Sequence, residues 1–89
     1  MYPKHITKTL DRARVNIRSG NPAAVLGDLS RVVQEFPNEF DGWMLLGHAT
    51  GMMNDHASAE ACFRKAAAIQ PKSPDAWHNL GLSYAMRGM

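Results

Sequence analysis

The sequence has little cysteine, no long apolar run and little net charge, and each shortage closes off a class of protein. Cys62 is the only cysteine, so no internal disulfide framework can staple the fold. Its setting, EACFRKAAAI, is rich in apolar residues, and a buried structural thiol is expected there. Nothing approaches a run of about 18 apolar residues, so no membrane-spanning helix and no membrane partner are expected. The first twenty residues lack the apolar segment of a signal peptide, which makes the cytoplasm the expected compartment. The formal net charge is only +2 while 45% of the residues are hydrophobic. That balance argues against whole-chain disorder and for one small soluble domain spanning 1–89.

Aromatic platforms are scarce where the basic residues gather. Lys4, Lys8, Arg12, Arg14 and Arg18 stand against Asp11 alone, with Tyr2 the one aromatic nearby. Nucleic-acid binding needs a larger basic surface with interleaved aromatics, so no nucleic-acid partner is expected. The run reads as a solvated helix face, with a surface for an acidic partner as the sharper alternative. Catalytic signatures are missing too. The histidines His5, His48, His56 and His78 form no HExxH pattern, and neither a CxxC pair nor a glycine-rich phosphate loop occurs. Two histidines on neighbouring helices do not make a zinc site. The sequence is read as non-enzymatic, with no catalytic residue, no metal site and no cofactor.

What is present is a repeat. Shifted by 34 residues, the chain falls on itself: Trp43, Leu46 and Gly47 meet Trp77, Leu80 and Gly81, while Asp41 meets Asp75 and Pro37 meets Pro71. A fixed period in this range is the mark of stacked supersecondary units. Within it, apolar residues recur every three or four positions, the helical spacing. A first helix is expected over about 6–19, carrying Ile6, Leu10, Ala13 and Ile17 inward and closed by Gly20 and Asn21, which tolerate a left-handed backbone. A second runs from Pro22 to Glu35, with Val25, Leu29, Val32 and Val33 inward. Pro37 ends it, because the residue before a proline is steered away from helix. A third is expected over 39–52 with Asn38 as its N-cap, a fourth over 56–69 capped by Asn54 or Asp55, and a fifth over 74–87 capped by Ser73. Five helices on short linkers pack as antiparallel neighbours, and a repeated hairpin builds an all-α solenoid rather than a closed bundle.

The spacing Trp43, Leu46, Gly47, Ala59, Phe63, Ala66 and Pro71 resembles the tetratricopeptide repeat (TPR). The third copy keeps Trp77, Leu80, Gly81 and Tyr84, then stops after one helix. The first is degenerate, with Arg12 and Ala13 where Leu and Gly would stand. The expected organisation is a degenerate repeat over 6–39, a full repeat over 40–73 and the first helix of a third over 74–89. In a TPR-like fold the motif residues are structural. Gly47 and Gly81 would allow close helix approach, Phe63 would fill the space between hairpins, and Trp43 and Trp77 would be buried at one end of each first helix.

The resemblance implies a protein–protein interaction module that holds a peptide in the concave groove lined by the first helix of each hairpin. The groove residues implied are Leu10, Arg14, Ile17 and Arg18, then Met44, His48 and Met52, then His78, Leu82 and Met86. Methionine-rich surfaces accept apolar side chains of several shapes, and Arg14 and Arg18 could pair with an acidic side chain of the ligand. A chaperone-type carboxylate clamp is not expected. The positions that would hold its Lys, Asn, Asn, Lys and Arg carry Leu10, Arg14, Leu45, Asp75 and Asn79. The unpaired fifth helix is expected to expose an apolar strip around Trp77, Leu80 and Tyr84 and to self-associate through it as a homodimer or higher oligomer. Two alternatives stand beside this reading: a TPR-like segment of a larger enzyme such as a sulfotransferase or glycosyltransferase, or a purely structural assembly protein.

Overall fold

A computed structural model describes residues 4–88, with Lys4 described for its backbone only. Tyr2, the Lys4 side chain and Met89 lie outside the described residues. Five α-helices follow one another: α1 (Lys4–Arg18), α2 (Leu26–Glu35), α3 (Phe40–Met52), α4 (His56–Ile69) and α5 (Pro74–Arg87). The antiparallel hairpins stack into the expected TPR-like all-α solenoid.

The helix signals act locally, one by one. Gly20 at φ 79° and Asn54 at φ 64°, one repeat apart, turn the chain left-handed after α1 and α3. Asp55 accepts from the Ser58 N–H, and Ser73 from the Ala76 N–H, so both caps satisfy donors that the first helical turn leaves open. Two expectations need correction. The cap of α3 is Glu39, not Asn38. Its carboxylate accepts from the Asp41 N–H and the residue is buried. Glu39 is the repeat counterpart of Ser73, so the 34-residue offset contained this answer. The second helix also begins differently. Pro22–Val25 winds as a 3-10 turn before α2, and its N-cap residue, Asn21, makes no side-chain cap hydrogen bond. Tighter i to i+3 bonding is the usual way to occupy such uncapped groups.

Packing divides the molecule in two. In the N-terminal half, Ile6, Leu10 and Ala13 of α1 meet Val25, Leu29, Val32 and Val33, joined by Leu46, Ala49 and Cys62. Most of these are branched, bulky side chains. The C-terminal half is built on small residues: Ala59, Phe63 and Leu80 form one cluster, and Ala66, Ala67 and Ala76 another. Small side chains let α3, α4 and α5 approach closely. Gly47 shows how closely. A Cβ built there would lie 2.7 Å from the Phe63 ring, so any side chain at that position would force the ring to shift.

The repeat is therefore physical as well as sequential. The Trp43 indole Nε1–H donates to the Pro37 carbonyl at 2.7 Å, and the Trp77 indole to the Pro71 carbonyl at 2.6 Å. Each tryptophan ties its helix to the preceding linker. Their burial differs. Trp43 is half-buried against two core clusters, whereas Trp77 is 52% exposed, against expectation. The reason is that α4 lies across the Trp43 side of α3, and no described helix lies across the matching side of α5. Gly81 tells the same story, since a Cβ there would meet nothing within 4 Å.

Candidate functional site

Helix α5 presents three faces, set by its 3.6-residue turn. Ala76, Leu80 and Ser83 are buried and point at α4. One flank carries Asn79, Leu82 and Met86 and looks toward α3. The other carries Trp77, Gly81 and Tyr84 and looks outward.

The flank toward α3 forms a cleft of about 250 Å³. Its α3 wall is Gly47, His48, Gly51 and Met52, its α5 wall is Asn79, Leu82, Ser83 and Met86, and His56, Ala59 and Phe63 of α4 close it. Gly47 lets the Phe63 ring lie close, Gly51 leaves room beside Ala59, and the methionines and Leu82 make the rim apolar. Met52, Leu82 and Met86 are each roughly half exposed, so the rim is available to a ligand. His48 stands edge-on to Phe63, with ring centroids 5.3 Å apart and an interplanar angle of 73°. Burial lowers the pKa of its imidazole, and the negative charge of Asp75 offsets part of that shift. His48 thus enters the cleft as a neutral ring near pH 7, able to donate or accept one hydrogen bond.

Of the ten groove residues expected from the sequence, the structure gathers His48, Met52, Leu82 and Met86 in this cleft. The others go elsewhere. Leu10 is only 6% exposed and belongs to the α1–α2–α3 core. It cannot serve as a ligand contact, because the same apolar stripe that made it a groove candidate is consumed by helix packing. Ile17 and Met44 are half-buried against core clusters. Arg14 spans α1 and α3, reaching Asp11 at 2.8 Å and Asp41 at 3.2 Å, so its guanidinium already serves two carboxylates of its own chain. Arg18 and His78 are exposed but do not line the cleft. Sequence reasoning left His56 and Asn79 out of the expected set. Asn79 is half-buried in the cleft, its amide donating to the Asp75 carbonyl at 2.9 Å. The 34-residue offset gave no signal for it, since its counterpart Leu45 packs against the core.

The outward flank is a separate surface. Trp77 and Tyr84 are each about half exposed. Leu80, expected with them, is a correction: it is 6% exposed and packs with Ala59 and Phe63, since it lies on the α4 side of the helix. Tyr84 is positioned from α4, where Arg64 donates to its hydroxyl at 2.8 Å and lies 5.9 Å from the ring centroid. Nearby, the buried Glu60 carboxylate holds Arg87 at 2.6 Å and Arg64 at 3.5 Å, pinning the end of α5 to α4.

Among the described residues no group of three or more His, Cys, Asp or Glu could hold a metal ion. No described helix is long and apolar enough to cross a membrane.

Comparison with known proteins agrees with the architecture. A tetratricopeptide-repeat family model matches residues 62–89. Tetratricopeptide repeat protein 37 of Xenopus laevis is 31% identical over 84 residues, which is 94% of this chain and 5% of that protein. Superkiller complex protein 3 of Mus musculus and of Homo sapiens are each 26% identical over the same share. The chain therefore spans about a twentieth of the length of these relatives.

Proposed function

We propose that this tetratricopeptide-repeat-like array is a non-enzymatic scaffold that binds an extended protein segment in the cleft between α3 and α5. The match over 62–89 and the five-helix solenoid support a general role in protein–protein interaction. The observation that carries the finer reading is the cleft itself: an apolar rim of Met52, Leu82 and Met86 around the polar His48 and Asn79. The ligand that fits presents an apolar side chain to the rim and a polar backbone or side-chain group to His48 and Asn79. A mostly apolar pocket with a few placed polar groups is the usual form of a selective site. The basic residues of α1 play a smaller part than the sequence alone implied, because Arg14 is engaged within the chain. The cytoplasm is the compartment proposed for this role.

The test is a displayed peptide library panned against the chain. Selected peptides should lose at least about tenfold in affinity, roughly 1.4 kcal/mol, when Met52→Ser and Leu82→Ser are combined. Both residues are half exposed, so the variant should keep its helical signal and melting temperature. Peptides that bind the double variant as tightly as the parent would remove the cleft from the proposal.

A second reading is self-association through α5. The exposure of Trp77 and Tyr84 favours it. Light scattering at micromolar concentration tests it, and a monomer that stays monomeric would set it aside.

A further inference from the structure

The cleft between α3 and α5 has a charge that runs against that of the whole chain. The formal net charge is +2, yet no lysine or arginine lines the cleft. The arginines are committed elsewhere. Arg12 pairs with Asp28, Arg14 with Asp11 and Asp41, and Arg64 and Arg87 with Glu60. The exposed Arg18 does not line the cleft. Carboxylates stand at the two ends instead. Asp75, in the first turn of α5, shares a helix face with Asn79, Leu82 and Met86. Its negative charge reaches the His48 imidazole, which places it beside the cleft. Among the described residues Asp75 has no ion-pair partner. At the far end, Asp55 precedes His56, which lines the cleft. Hydrogen bonds from Ser58, together with the nearby His56, lower the Asp55 pKa. Each histidine of the cleft thus has a carboxylate near it, and no cation lines the walls between them.

We infer that the cleft selects a basic segment, with an arginine or lysine three residues from the apolar side chain that meets Leu82, and that this cation rests on Asp75. The spacing follows from helix geometry. Asp75 and Leu82 are seven residues apart, a rise of about 10 Å, and an extended segment covers about 10 Å in three residues. Charge decides the sign. An acidic side chain at that point would face a like charge, which is disfavoured. A long basic side chain lays its methylenes along the apolar rim while its head reaches the carboxylate. The inference rests on the cleft reading and adds the partner's charge and register. It reverses the acidic ligand expected from Arg14 and Arg18. Asp75 also complements the dipole of α5, but that role would not change which peptides the cleft selects.

The probe is a displayed library of random peptides, panned in parallel against the chain and against its Asp75→Lys variant. Peptides selected by the parent chain should carry arginine or lysine three residues from an apolar residue. Those selected by Asp75→Lys should turn acidic at that place. Synthetic copies of the parent-selected peptides should bind Asp75→Asn about two- to fivefold more weakly, the range for one exposed ion pair. That difference should close at about 1 M salt, where the Debye length is about 3 Å. An Asp75 that served only the helix would lower the melting temperature without moving the residue preference. The inference is overturned if the parent chain selects peptides that are neutral or acidic at that spacing, or selects none. It is also overturned if Asp75→Asn binds the basic peptides as tightly as the parent. Peptides that weaken with Met52→Ser and Leu82→Ser but ignore Asp75→Asn keep the cleft and remove the basic register. Peptides that ignore both changes remove both.

Discussion

The same substitution at two repeat-equivalent glycines should have opposite effects on stability. Gly47 and Gly81 are 34 residues apart and occupy the same position in α3 and α5. Replacing a mid-helix glycine by alanine gains about 0.8–1 kcal/mol of helix propensity wherever the new methyl has room. At Gly81 it has room, because no atom lies within 4 Å of the built Cβ. Gly81→Ala should therefore stabilise by about 0.8–1 kcal/mol. At Gly47 the methyl would lie 2.7, 2.8 and 3.0 Å from three ring atoms of Phe63. The ring is 4% exposed and edge-packed on His48, so it can withdraw only by disturbing α4. Overpacking of this kind costs about 1–3 kcal/mol, which cancels or outweighs the propensity gain. Gly47→Ala should come out between neutral and about 2 kcal/mol destabilising. Urea titration followed by circular dichroism measures both. A difference of roughly 1–3 kcal/mol between the variants corresponds to many degrees in melting temperature for a domain this small. Combining Gly47→Ala with Phe63→Leu should recover part of the loss, since the shorter side chain vacates the contact. If Gly47→Ala stabilised as much as Gly81→Ala, the contact between α3 and α4 would not be as close as described. If Gly81→Ala destabilised at low protein concentration, the outward edge of α5 would be covered within the chain.

Two further outcomes follow from titratable groups in the fold. His48 has a lowered pKa in the folded state because burial disfavours its charge. The unfolded chain then binds more protons than the folded one between that lowered value and about 6.5. Stability should therefore fall as pH drops from 7 through this window and level off below it. Urea midpoints across pH 5–7.5 would show this, and His48→Gln should flatten the profile; an unchanged slope in that variant would assign the effect elsewhere. Burial pushes the Cys62 thiol up to about 11, leaving very little thiolate at pH 8. A thiol reagent should thus label native Cys62 far more slowly than the urea-unfolded chain, and equal rates would contradict its place in the core.

The fold was largely legible because helical signals are local. Ser73 and Asp55 cap their helices through bonds spanning three residues, and Pro37 and Pro71 act on their immediate neighbours. The 34-residue period needs no tertiary information either. It also held the α3 cap, since Glu39 answers to Ser73. The site was less legible. An apolar stripe at helical spacing says which side of a helix is sticky, not which neighbour meets it. Leu10 and Leu82 were both groove candidates. Helix packing takes Leu10 into the core and leaves Leu82 half exposed on the cleft rim. Arg14 looked available to a ligand until α3 brought Asp41 to 3.2 Å.

The sequence by itself thus determined the number of helices, the caps of α4 and α5 and the period, because those depend on bonds and sterics within a few residues. Tertiary structure alone decided the burial of each repeated residue. Trp43 and Trp77 share a motif and an identical indole bond, yet one is partly buried by α4 and the other is half exposed. Burial is a property of the neighbour across the gap, and a repeat that specifies the receiving face does not specify what occupies it.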